Sequence, residues 1–60
     1  MVRIEVELSP EQAEAFAQFL KRVGLSDYRD HAQHENEAYE MLYAGEKVRA
    51  ALAEIGFAPR

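Results

Sequence analysis

The chain is 60 residues long, has no cysteine, and carries a formal net charge of −4 with a pI near 5.0. That length allows a single domain, residues 1–60, that buries only about 60% of the surface its unfolded chain exposes. The missing cysteines exclude disulfides and thiolate metal sites, and the acidic balance opposes non-specific attraction to phosphate backbones.

With disulfides gone, oligomerisation is the remaining help for so small a core. No apolar run approaches the ~20 residues that cross a bilayer. Met1-Val2-Arg3-Ile4-Glu5 has charges where a secretion signal would begin its apolar core, so the sequence predicts a cytoplasmic protein with no membrane association. A hydrophobic content of 48% predicts a folded chain rather than a disordered tail.

From Val2 to Leu8 the residues alternate, with Val2, Ile4, Val6 and Leu8 on one side and Arg3, Glu5 and Glu7 on the other. This period predicts a strand buried on one face. Ser9-Pro10-Glu11-Gln12 is a helix start: Ser9 can cap, Pro10 suits the first helical position, and Gln12 can close a capping box. Ala13, Phe16, Leu20 and Val23 form one apolar stripe with Phe19 beside it, and Lys21 and Arg22 complement the dipole at the C-terminal end. Gly24 is expected to end this helix as a left-handed cap, with Leu25 folding back on Leu20. Ser26 to His34 is the least regular stretch: Ser26-Asp27 could cap a short helical turn carrying Tyr28 and Ala32, and Asp30, Gln33 and His34 suggest that it ends soon. From about Asn36 to Ile55, Ala38, Met41, Gly45, Val48, Leu52 and Ile55 recur at spacings of three and four, widened by Leu42 and Ala51, and predict a long helix. Gly45 lies inside that stripe, which implies a close backbone approach or a bend. Gly56-Phe57 and Pro59 mark the stop.

The fold class read from this order is α+β and mostly helical, one N-terminal strand followed by two main helices (β-α-α). A lone strand leaves both edges unpaired. The expectation is therefore a homodimer in which Val2, Ile4, Val6 and Leu8 belong to strands paired across the two copies.

The residues that could carry chemistry are few. Ser9 and Ser26 are helix caps with no accompanying base, and Gly24, Gly45 and Gly56 are too far apart for a phosphate loop. His31 and His34 lie among carboxylates. On one continuous helix, Asp27, His31 and Glu35 would share a face and could hold a divalent cation. Solvated polar residues explain the cluster better, so the sequence predicts no catalytic residue, metal or cofactor. From Asp27 to Glu40 there are five acids and one base, Arg29, a net charge equal to that of the whole chain. Tyr39 and Tyr43 flank this acidic segment off the apolar stripe, the composition of an interface hot spot. The candidate partner-binding set is therefore Asp27, Asp30, Glu35, Glu37, Tyr39, Glu40 and Tyr43, facing another protein with a basic surface.

The strand-helix-helix order over the first 45 or so residues resembles the ribbon-helix-helix repressors and antitoxins. That resemblance implies a strand-paired dimer and DNA binding, with Arg3, Lys21, Arg22 and Arg29 as phosphate contacts. The outward strand positions here include Glu5 and Glu7, which DNA would repel, so nucleic acid is the lesser expectation. Phe19-Leu20-Lys21-Arg22-Val23-Gly24 and the stretch from Glu46-Lys47-Val48-Arg49-Ala50-Ala51-Leu52 to Pro59-Arg60 resemble very short proteins of proteobacterial plasmids and genomic islands. This second resemblance implies an accessory factor, including inhibitors of host defence such as anti-CRISPR proteins. The leading functional expectation is thus a non-enzymatic module that occupies a surface of a partner protein. A DNA-binding regulator or antitoxin comes second, and a metal-dependent enzyme at His31 and His34 last.

Overall fold

A computed structural model of the chain describes residues 1–59; Arg60, the end of the second segment above, lies outside them. Three helices follow one another: α1 (Pro10–Arg22), α2 (Leu25–His31) and α3 (Glu35–Glu54). α1 and α2 each pack on α3 and not on each other.

The expected strand is absent. Among the described residues there is no strand, and the β-α-α class is corrected to a three-helix fold. The reason is hydrogen bonding. A ladder needs a second extended segment, and every other long stretch of this chain satisfies its backbone inside a helix. With its expected strand goes the strand-helix-helix order that the ribbon-helix-helix resemblance rested on. Val2, Ile4, Val6 and Leu8 consequently form no paired strand, and all four side chains are exposed.

Helix ends follow local chemistry. Ser9 Oγ accepts from the Gln12 N–H at 3.1 Å and Gln12 Oε1 accepts from the Ser9 N–H at 2.9 Å, a complete capping box with Pro10 at the first helical position. At the far end of α3 the Phe57 N–H reaches the Leu52 carbonyl at 2.9 Å and the Gly56 N–H the Ala53 carbonyl at 3.1 Å. Gly56 has φ +102°, and Phe57 packs on the core, so this is a Schellman stop with its apolar contact.

The end of α1 differs from expectation. Val23 is the cap, in extended conformation, and Gly24 is not left-handed. Gly24 instead opens α2: Asp27 Oδ2 accepts from the Gly24 N–H at 2.8 Å, so Asp27 rather than Ser26 secures that helix start.

The core is small and built mainly from alanines. Ala13, Ala17, Leu20 and Leu52 form one buried cluster, and Ala38 is buried in the other half of α3. Relative to the stripe expected from Ala13, Phe16, Leu20 and Val23, α1 is turned by about 40° so that Ala17 faces inward. Phe16 and Phe19 stay outside, their rings stacked at 5.7 Å. Small side chains at a helix crossing let the two backbones approach more closely. The stripe of α3 is likewise only partly covered: Leu52 is buried, while Val48, Ala51 and Ile55 are exposed.

Candidate functional site

The seven residues expected to bind a partner lie on α2 and the first half of α3, and all but Glu37, which is half-buried, are exposed. The corner between the two helices orders them. α2 ends at His31 because Ala32 turns extended, and α3 starts after His34, whose Nδ1 accepts from the Glu37 N–H at 3.2 Å. Glu37 in turn accepts from the Gln33 N–H at 2.9 Å. Together these two bonds close the N-terminus of α3, with Glu35 and Glu37 placed where its dipole favours negative charge.

Across the corner, Arg29 Nε donates to Glu35 Oε1 at 2.6 Å. The hydrogen bond to Glu35, then its charge, raise the Arg29 pKa further, and Tyr39 adds to the effect. Three of the five acids are therefore engaged locally: Asp27 at the start of α2, Glu37 at the start of α3, and Glu35 with Arg29. Asp30 and Glu40 have no hydrogen bond or ion pair among the described residues, which leaves them with Tyr39 and Tyr43 as the part of the set without a demonstrated structural task.

Glu35, Tyr39 and Tyr43 follow at successive intervals of four, so they form one ridge along α3. The two tyrosine rings sit 6.2 Å apart and tilted by 36°, with Tyr43 53% and Tyr39 37% exposed. The ridge joins amphipathic rings to carboxylates on a rigid helix. It can form apolar contacts and accept hydrogen bonds from a cationic surface.

The metal reading required Asp27, His31 and Glu35 on one helix. The break after His31 separates them: Asp27 turns back to Gly24, Glu35 faces Arg29, and His34 is a cap. Among the described residues no three His, Asp or Glu side chains come together as a metal site. No helix among the described residues is long and apolar enough to cross a membrane.

Residues expected to pair as a dimer strand lie on a second exposed surface. Ile4, Val6 and Leu8 share a shallow groove with Val48, Leu52 and Ile55, so the N-terminal segment and the C-terminal half of α3 present one apolar face. Three of the four residues expected in a dimer strand are thus on this face without forming a strand, and the period-two pattern of residues 2–8 does not signal the α3 residues beside them.

A family of unknown function, DUF7706, matches residues 1–60. The chain belongs to that family. No curated protein matches it, and no solved structure does. The membership assigns no activity, so the functional reading rests on the surfaces themselves.

Proposed function

We propose that this chain is a non-enzymatic protein-interaction module that occupies a basic surface of another protein with the Tyr39–Tyr43 ridge and its neighbouring acids. The exposed, paired rings on a capped helix carry the reading. Tyrosines are enriched at interface hot spots because one end of the ring is apolar and the other makes hydrogen bonds. Placing them on α3 limits the entropy lost on binding. Asp30 and Glu40, without hydrogen-bond or ion-pair partners among the described residues, supply the charge that steers a cationic partner. Rings and carboxylates in this arrangement compete for surfaces that bind bases and phosphates, so inhibition by occupation is the mode it suits.

The test is capture from a lysate of the source organism by the wild type and by Tyr43→Ala combined with Glu40→Lys. The proposal expects a protein retained by the wild type in a salt-sensitive manner and lost by the double variant, whose melting temperature should match that of the wild type. Loss of one hot-spot tyrosine corresponds to about 30-fold or more in affinity. Full capture by the variant would overturn the assignment of the ridge. Specific binding of wild type to duplex DNA at ~150 mM salt would overturn the protein-binding reading itself.

A further inference from the structure

We infer that the apolar face made by Ile4, Val6, Leu8, Val48 and Ile55 is the interface with a second copy of this chain. This face is separate from the tyrosine ridge, and the inference stands whether or not the ridge binds a foreign partner.

The area of the chain is the first argument. A compact protein of this mass exposes about 4,000 Å². This chain exposes 5134 Å². The excess over the whole chain, roughly 1,100 Å², is larger than the ~800 Å² that each partner contributes to a standard-size interface, so the chain has that area to spare. The radius of gyration agrees: about 10.4 Å is expected for a compact domain of this length, against 12.2 Å observed.

The character of the excess is the second. Ile4 and Val6 are each 73% exposed and Ile55 71%, while among the described residues no large side chain is fully buried. The alanine-rich core cannot supply what these aliphatics would, since hydrophobic stabilisation scales with the apolar area removed from water. The chain has no cysteine for a disulfide, and no metal cluster among the described residues could substitute for one. The deficit is one of folding, present whenever the chain is made. A second copy is the one partner supplied together with it.

Charge favours the same occupant. The acids between Asp27 and Glu40 belong to α2 and the first half of α3. Glu40 and Val48, the nearest α3 member of the face, are about 12 Å apart along the helix, roughly one and a half Debye lengths at physiological salt. Around the apolar face, Arg3 stands with Glu5 and Glu7 beside Ala51 and Ile55. A rim bearing both signs can complement itself across a two-fold axis, where the same patch meets its own copy.

Two measurements on the full chain test this. Sedimentation equilibrium at micromolar concentration should give about twice 6.9 kDa, and the melting temperature should climb with protein concentration, as it does when folding is linked to association. Val6→Asp and Ile55→Asp alter side chains that are exposed within one copy, so each should yield a chain of single mass with a lower melting temperature that no longer depends on concentration. A wild type that sediments as a monomer and melts at one temperature across a hundredfold concentration range would overturn the proposal. Thiol labelling locates the face without relying on those variants. A cysteine introduced as Val6→Cys should react at least tenfold more slowly as concentration is raised through the dimerisation range, whereas Tyr43→Cys should react at a constant rate. Protection at position 43 without protection at position 6 would assign self-association to the ridge and overturn the inference.

Discussion

The Tyr28 hydroxyl occupies the space that a β-carbon on Gly45 would need. A methyl group there would fall well inside contact distance of that oxygen and 3.6 Å from Leu20 Cδ2. Gly45 is thus the point of α3 on which both α2, through Tyr28, and α1, through Leu20, close. The helix tolerates an interior glycine, at a cost of about 1 kcal/mol against alanine, because the ring of Tyr28 fills the space.

This relationship makes the sign of a substitution depend on its neighbour. Gly45→Ala alone should destabilise the protein, since pushing a packed ring aside typically costs about 1–3 kcal/mol, more than the gain in helix propensity. In a Tyr28→Phe background the hydroxyl is gone, and Gly45→Ala should become neutral or stabilising. Chemical denaturation of the four proteins in that cycle checks it. Additive effects would show that Tyr28 can swing away without cost.

The cap at His34 gives a second expectation. His34→Ala removes the acceptor for the Glu37 N–H and should cost about 1 kcal/mol. His34→Asp should restore or exceed wild-type stability, because a carboxylate both caps and complements the helix dipole. Thermal melting followed by circular dichroism at pH 7 distinguishes the two. Equal stability of His34→Ala and wild type would show that water replaces the ring nitrogen.

Leu52 is the largest contribution of α3 to the core and packs beside Phe57. Leu52→Ala should cost roughly 2–5 kcal/mol, enough to unfold a domain of marginal stability. Glu54→Ala, at an exposed position on the same turn, should leave the melting temperature nearly unchanged.

The stop of α3 can be tested at Gly56. Its φ of +102° is strained for any side chain, while a Cβ there would meet open space, so the backbone alone decides the outcome. Gly56→Ala should destabilise by about 1 kcal/mol. Retained stability would mean that the last turn rearranges and releases the Phe57 contact, which a change in Phe57 exposure to solvent quenchers would report.

The exposure of most of the candidate partner-binding residues was legible because it depends on composition. Apart from the half-buried Glu37, the acids between Asp27 and Glu40 and the tyrosines at 39 and 43 are exposed. What could not be read was their employment. Asp27 is the exception, since its bond to the Gly24 N–H spans three residues, whereas Glu37 closes a helix start and Glu35 pairs with Arg29 only because the chain turns between His31 and Glu35.

The sequence by itself determined the start of α1 and the stop of α3, because each is an exchange of hydrogen bonds among residues three to five apart. Ser9 with Gln12, and Gly56 with Phe57, need nothing beyond their own segment. Tertiary structure decided which faces are inside. Ala17 rather than Phe16 faces the core, where a small side chain lets α1 and α3 approach each other. It also decided that Val2 to Leu8 forms no strand, since alternation prepares one face for burial, but a ladder exists only where a second edge is present to complete its hydrogen bonds.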